Sequence, residues 1–278
     1  MDTPRSAAAK EQRLLEWFRA QGSVLIGFSG GVDSAYLACV ALEAVGPARC
    51  LAVIGRSASY PAAQWAQARS VADRFGIPVQ EVDTDELSDP RYAANPTDRC
   101  YFCKQELWIR LAPIARIHGL AVVVDGTNAD DRTDHRPGAR AAAEQGVRSP
   151  LAELDFTKAE IRAASAARGI PTWDQPSSPC LSSRLPYGTA VTPLRLRVVE
   201  HAEAAVRALG VTGNLRVRYF GTRARVELDP EPLAVWSAPA ARAVLEAAVR
   251  AAGFAEVELQ AFRSGALNVL AGVTGEAD

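Results

Sequence analysis

Residues 25–34 read Leu-Ile-Gly-Phe-Ser-Gly-Gly-Val-Asp-Ser, types that suit the holding of a phosphate chain. The apolar run from Val24 to Phe28 predicts a strand that passes through Ser29-Gly30-Gly31 into a helix carrying Val32, Tyr36, Leu37 and Val40. Adjacent glycines open backbone dihedrals closed to other residues. Their amides and the first free amides of the helix can then form a nest for an anion. Ser29 and Ser34 add hydroxyls, and Asp33 offers a partner for Mg2+ or pyrophosphate. The Gly-Lys-[Ser/Thr] ending of a Walker A loop is absent.

A second set of residues could handle sulfur or metal. Cys100-Tyr-Phe-Cys103 is a Cys-x-x-Cys, compatible by itself with zinc, an iron–sulfur cluster, a redox disulfide or no chemistry at all. Cys180 lies far downstream in a proline-rich stretch. Cys39 and Cys50 stand in apolar contexts and are expected in the core. His118, His135 and His201 lack finger-like spacing, whereas three thiolates suit a four-iron cluster with one iron open. A third set is charged. Arg216 and Arg218 alternate in Leu215-Arg-Val-Arg-Tyr219 and so share one strand face. Glu227 on the next strand could orient an arginine, ligate a metal or form a plain cross-strand ion pair. Asn128, Asp130, Asp131 and Asp134 form an acidic loop, with Asn128 and Asp131 foremost as nucleotide contacts, while Lys104 reads as a solvated helix start.

Ser29-Gly-Gly-Val-Asp-Ser34 resembles the PP-loop of the ATP pyrophosphatases, which split ATP between the α and β phosphates and leave an adenylate on a carboxylate or carbonyl oxygen. The likeness extends further. Residues 125–151, beginning Asp-Gly-Thr-Asn-Ala-Asp-Asp, and residues 173–192, with Cys-Leu-Ser-Ser-Arg-Leu-Pro-Tyr-Gly at 180–188, resemble the LarE family of ATP-dependent sulfur transferases. The resemblance runs over nearly the whole chain, from the PP-loop to Phe262-Arg-Ser-Gly-Ala-Leu-Asn268, and the segment at 180–188 is its most specific part.

The resemblance implies an enzyme of nickel-pincer nucleotide cofactor biosynthesis, which matures lactate racemase. ATP and Mg2+ would activate a ring carboxylate of pyridinium-3,5-biscarboxylic acid mononucleotide as an acyl-adenylate. A sulfur nucleophile would then displace AMP to leave a thiocarboxylate. It implies ATP contacts at Ser29, Gly30, Gly31, Asp33, Ser34, Ile54, Ser57, Gly126, Asn128 and Asp131, and substrate contacts at Ser183, Arg184, Arg216, Arg218 and Glu227, with the arginine pair on the substrate phosphate. One branch of the family sacrifices the cysteine of the Cys-Leu-x-Ser-Arg motif. The other holds a [4Fe-4S] cluster on three cysteines and carries a labile sulfide on its open iron. With Cys100, Cys103 and Cys180, this chain resembles the cluster branch. The resemblance also implies a homo-oligomer, up to a hexamer, and leaves the sulfur donor open. Sacrifice of Cys180 alone is one alternative. A PP-loop tRNA thiolase is another; against it stand a net charge of −1, no recognisable RNA-binding module and Val32 where that group usually has lysine. An amidating ligase would need no cysteine triad.

Around these residues the chain alternates strand and helix signals. Strands are expected at 24–28, 50–53, 79–82 and 121–125, and helices at 11–20, 33–45, 61–75, 104–117 and 157–168. That order predicts a doubly covered parallel α/β sheet with its ligand crevice at the carboxyl ends of the strands. Ile54–Ser57 and Gly126-Thr-Asn128 would face that crevice. Residues 171–193, with five prolines from Pro171 to Pro193, form a structured connector between a PP-loop domain (1–170) and a small α+β domain (194–278) for substrate binding or oligomerisation. That second part should hold helices at 194–209 and 239–252 and strands at 215–219, 224–228 and 256–262. The 48% apolar content supports a substantial core. No apolar run approaches the ~20 residues of a membrane span. The N-terminal stretch lacks the form of a signal peptide, so a cytoplasmic protein with no membrane or nucleic-acid partner is expected.

Overall fold

The computed structural model describes residues 3–133 and 137–272. Helix α1 (Thr3–Gln21) precedes β1 (Val24–Gly27), α2 (Val32–Val45), β2 (Cys50–Arg56), α3 (Ala62–Phe75), β3 (Val79–Asp83), the short α4 (Pro90–Ala93), α5 (Arg99–Ile117) and β4 (Val122–Val124). The four strands make one parallel sheet in the order β3-β2-β1-β4. Side chains alternate between its faces. Val24, Ile26, Ala52 and Ile54 pack with Leu14, Phe18, Leu37 and Val71 of α1–α3, while Leu25 and Val53 pack with Trp108 and Leu111 of α5. The chain builds from β1 out to β3, then returns to the other side of β1 as β4. The order therefore reverses between β1 and β4, where open α/β sheets bind ligands at the carboxyl ends.

Helices α6 (Pro137–Glu144), α7 (Pro150–Glu153) and α8 (Lys158–Ala167) follow. A capping box starts α8: the Thr157 hydroxyl accepts from the Glu160 amide, and the Glu160 carboxylate accepts from the Thr157 amide. After the connector come α9 (Pro193–Ala208), β5 (Leu215–Phe220), β6 (Arg223–Leu228), α10 (Pro230–Trp236), α11 (Pro239–Ala251), β7 (Glu256–Ala261) and α12 (Ala266–Leu270). Strand β6 pairs antiparallel with β5 and parallel with β7, giving a small mixed sheet. Leu196, Val199, Val217, Val226 and Leu245 fill its core, joined by Tyr92 from α4 and by Leu181 and Leu185 from the connector.

The expected parallel α/β fold with a smaller α+β sheet is observed, and three boundaries change, the first being α1, which begins at Thr3 instead of at residue 11. Strand β2 continues to Arg56 because Gly55 and Arg56 pair with Val82 and Asp83. Ile54 is therefore inside the strand, fully buried in the core, instead of following it. Helix α5 begins at Arg99, five residues before the expected Lys104, and takes in both cysteines of the Cys-x-x-Cys. Tertiary packing explains the extension: Phe102 and Cys103 lie on the second core and Tyr101 on the α5–α6 core. Lys104 is half-buried with its ammonium over the Trp108 ring, so it is no solvated helix start. No helix among the described residues is long and apolar enough to cross a membrane.

Candidate active site

The loop between β1 and α2 is held before any ligand arrives. Gly30 has φ +67°, and a Cβ there would stand 2.4 Å from the Ala68 Cβ on α3, so no larger residue fits. The Ser29 carbonyl accepts from the Tyr60 hydroxyl at 2.9 Å and from the Gln64 amide at 3.2 Å. The Ser29 and Ser34 hydroxyls lie 3.1 Å apart, and that of Ser34 reaches the Gly31 carbonyl. No side chain caps α2, which leaves its first amides aimed at the crevice. Across the switch point, a Cβ on Gly126 would lie 3.0 Å from the Ser34 amide nitrogen; glycine is what lets the loop after β4 approach the helix start.

Asp33, in the first turn of α2, receives Lys158 Nζ at 2.5 Å, and the Asn128 side-chain amide lies 3.5 Å from its other oxygen. Lys158 is held from behind. Its amide donates to Asp130, its helix carries the capping box, and Glu160 also binds Lys10 of α1. Asn128 and Asp131 close their own turn: the Asn128 amide donates to Asp131 at 3.0 Å and its side-chain oxygen accepts from the Asp130 amide. Asp134 and His135 lie outside the described residues.

Three thiols are brought to the same edge of the sheet, where they influence one another's charge. Cys100 and Cys103 stand on the first turn of α5, whose start lies at the carboxyl edge of the sheet because the helix runs back toward the beginning of β4. Cys180 is brought to the same edge by the Leu181 amide, which donates to the Ser59 carbonyl just beyond β2 at 2.8 Å. Burial raises the Cys103 thiol above the ordinary thiol range, and the charges of Glu86 and Cys180 add to the rise. Cys100 is exposed as a residue, yet burial is the largest influence on its thiol; Arg99 opposes the rise and Cys180 reinforces it. Burial works against the Arg99 charge, and the sulfurs of Cys180 and Cys100 outweigh it. The three sulfurs therefore lie within electrostatic reach of one another. Two buried polar atoms nearby have no hydrogen-bond partner among the described residues, Glu86 Oε2 and Arg99 Nε.

Among the described residues no three Cys, His, Asp or Glu side chains are arranged to hold a single metal ion. A four-iron cluster makes a different demand. Each thiolate binds a different iron, so its ligands stand further apart than those of one ion. Three sulfurs within electrostatic reach of one another, with a buried donor and a buried acceptor left unpartnered on neighbouring residues, match that group in donor chemistry. His118 and His201 are exposed and belong to no such group. Cys39 and Cys50 are free and buried in the core, as their contexts predict.

The arginines of the small sheet adjoin the Cys180 turn. Arg184 is 2% exposed; it pairs with Glu203 at 2.9 Å and donates to the carbonyls of Pro179 and Cys180, which makes it a brace for the turn. Arg218 gives two hydrogen bonds to Glu227 Oε2, at 2.8 and 3.0 Å, and one to the Ser183 carbonyl. Glu227 thus orients an arginine, one of the two ion-pair roles foreseen for it. Arg216 differs. It is buried, donates to the Leu215 and Ser177 carbonyls, and makes no ion pair among the described residues. Burial pushes its pKa down to about 10, helped by Arg184 and Arg218 and opposed by Glu203. A buried cation crowded by cations calls for an anion.

Of the residues singled out from sequence, Ser29, Gly30, Gly31, Asp33, Ser34, Gly126, Asn128 and Asp131 gather around the loop between β1 and α2. Ser57 lies beyond β2, and Ile54 turns its side chain into the core. Sequence reasoning missed Tyr60 and Gln64, which fasten the loop, and Lys158. Only Lys158 carried a signal, the Thr-x-x-Glu capping box that sets it at a helix start.

This fold, with a Gly-Gly nest at the switch point, defines an ATP-using enzyme of the PP-loop class. The NAD synthase family profile matches residues 12–98. The structure of NMN synthetase from Francisella tularensis superposes with a TM-score of 0.51 at 17% identity, over 62% of this chain and 75% of that one, a likeness of fold alone. Pyridinium-3,5-bisthiocarboxylic acid mononucleotide synthase of Lactiplantibacillus plantarum is 36% identical over 80% of this chain and 80% of its own length. A protein of Synechocystis known only as uncharacterized protein slr1717 is 41% identical over 94% of this chain and 97% of its own. The chain belongs to the LarE family.

Proposed function

We propose that this enzyme adenylates the ring carboxylates of pyridinium-3,5-biscarboxylic acid mononucleotide and converts them to thiocarboxylates, drawing sulfur from a site held by Cys100, Cys103 and Cys180. The observation that carries the reading is a bridge. Tyr60 donates to Ser29 of the PP-loop, and its neighbour Ser59 accepts from Leu181, next to Cys180. Two consecutive residues thereby join the place where ATP would be split to the place where sulfur would be supplied.

A carboxylate resists nucleophiles because its leaving group would be oxide; adenylation supplies AMP in its place. The amides at the start of α2 and the Lys158 ammonium would meet the negative charge that builds on pyrophosphate. Asp33 would hold Mg2+, which screens the same charge and requires that Lys158 give up its present partner. Arg216 would take the remote phosphate of the substrate, so that binding there orients the carboxylate toward Cys180. Arg218 and Arg184 shape that seat through Glu227 and Glu203. Ser183, whose hydroxyl donates to the Cys180 carbonyl, steadies the turn. A [4Fe-4S] cluster on the three thiolates would supply an exchangeable sulfide, allowing repeated turnover. Residues 194–278 would serve as the substrate-binding part and carry contacts within a homo-oligomer.

The test is substrate-dependent ATP cleavage. Purified protein with ATP, Mg2+ and the pyridinium biscarboxylate should release AMP and pyrophosphate in equal amounts and yield a thiocarboxylate by mass spectrometry. Equal ATP cleavage with and without that substrate would refute the assignment.

A further inference from the structure

Glu86 sits in the 3-10 turn that follows β3, at the carboxyl edge of the sheet, and no motif in the sequence marks it. It is 2% exposed. One carboxyl oxygen, Oε1, accepts from the Ser59 hydroxyl at 2.7 Å. The other, Oε2, is buried without a hydrogen-bond partner, and Glu86 makes no ion pair among the described residues. A buried carboxyl oxygen without a partner is costly and calls for one that the described side chains do not supply. Its partner Ser59 also accepts from the Leu181 amide of the Cys180 turn, and the 3-10 turn that carries Glu86 packs against α5, so the carboxylate lies beside both elements that bear the three cysteines.

We propose that Glu86 is the chain's own ligand for the open position of the iron–sulfur site: Oε2 caps the iron that the three cysteines leave free, and hydrosulfide must displace it. This rests on the cluster reading given above. Carboxylate oxygen is a competent iron ligand, weaker than thiolate toward a sulfur-rich centre and so exchangeable. Displacement is a simple ligand exchange in which an iron–oxygen bond is replaced by an iron–sulfur bond, with no electron transferred. The Ser59 hydroxyl fixes the carboxylate through Oε1 and leaves Oε2 available. Ser59 is bonded in turn to Ser57, 2.9 Å away, and through its carbonyl to the Cys180 turn, so ligand, nucleotide loop and third cysteine share one buried node. Ser59 is accordingly a positioning residue.

The experiment uses full-length protein reconstituted anaerobically with ferrous iron and sulfide, then desalted. Wild type, Glu86→Gln, Glu86→Asp and Ser59→Ala are compared by iron content, by electron paramagnetic resonance after reduction, and by titration with sodium sulfide followed in the visible spectrum. Glu86→Gln should retain the wild-type iron content, shift the resonance of the reduced centre, and bind sulfide about tenfold more tightly because no anionic cap competes. Glu86→Asp, which keeps the charge and shortens the reach, should shift the resonance in the same sense, and Ser59→Ala should fall between it and wild type. Resonances and sulfide titrations that superimpose on wild type in all folded variants would overturn the Glu86 assignment while leaving the cluster standing. Failure of wild type itself to take up iron would overturn both.

Discussion

The PP-loop and the thiol pocket lie on the same edge of the sheet and are built on opposite terms. At the PP-loop, Ser29 accepts two hydrogen bonds, Gly30 is locked against Ala68, and Asp33 already has Lys158. At the thiol pocket, Glu86 Oε2 and Arg99 Nε are buried without hydrogen-bond partners among the described residues. A satisfied loop is pre-organised for a ligand that comes and goes with each turnover. An unsatisfied site leaves buried polar atoms for a bound group to satisfy. The arginine face repeats the contrast on a smaller scale, for Arg218 and Arg184 have carboxylate partners while Arg216 makes no ion pair among the described residues.

The comparison breaks most severely at Gly30. Gly30→Ala places a methyl where Ala68 already stands and forces alanine into a left-handed conformation. Substrate-dependent pyrophosphate release should fall by about 100-fold or more, as when an oxyanion donor is displaced. Iron uptake, which the proposed function assigns to the three cysteines, should stay near wild type. Joint loss of both would mean the two sites are not separately built.

Next in size is Arg216→Ala, which should cut sulfur transfer at limiting substrate by roughly 10- to 100-fold, the scale of a charge-assisted hydrogen bond lost from a buried site. Raising substrate concentration should recover only part of the rate, because orientation is lost along with binding. Unchanged transfer at limiting substrate would remove Arg216 from the phosphate seat.

The smallest effect separates inert thiols from working ones. Burial raises Cys39 to about 11, and burial with the charge of Cys39 raises Cys50 to about 12. Both folded values exceed the unfolded one, so the folded state keeps protons that the unfolded state gives up. Their contribution is whole below the ordinary thiol value of about 8.5 and fades as pH climbs through about 11 and 12. Each thiol should cost on the order of 1 kcal/mol per pH unit over that window. Denaturant midpoints measured from pH 8 to 11 should fall less steeply in Cys50→Ala than in wild type; parallel slopes would contradict the assignment.

The parts of this molecule legible in the sequence were those that repeat a local pattern. The apolar run at Val24 and the Ser-Gly-Gly turn specify a strand, a nest and a helix from neighbours alone, and those elements appear within a residue of their expected ends. Cys39 and Cys50 were legible as core for the same reason. What escaped depends on contacts between distant segments. Tyr60 and Gln64 matter only because α3 crosses the loop, and Glu86 only because β3 ends beside α5. The start of α5 was placed late because propensity ignores the packing of Tyr101 and Phe102 on two different cores. Arg216 and Arg218 were seen as an equal pair because strand alternation fixes the face of a side chain and says nothing of its partner.

If sulfur comes from a site that can be refilled, next to a loop that activates the acceptor, one chain should make many products. The most direct test combines product counting with the intact mass of the protein after reaction under anaerobic conditions with added sulfide. More than one thiocarboxylate per chain and a polypeptide of unchanged mass are expected. At most one product per chain, with the polypeptide lighter by one hydrogen sulfide at Cys180, would contradict a refillable site.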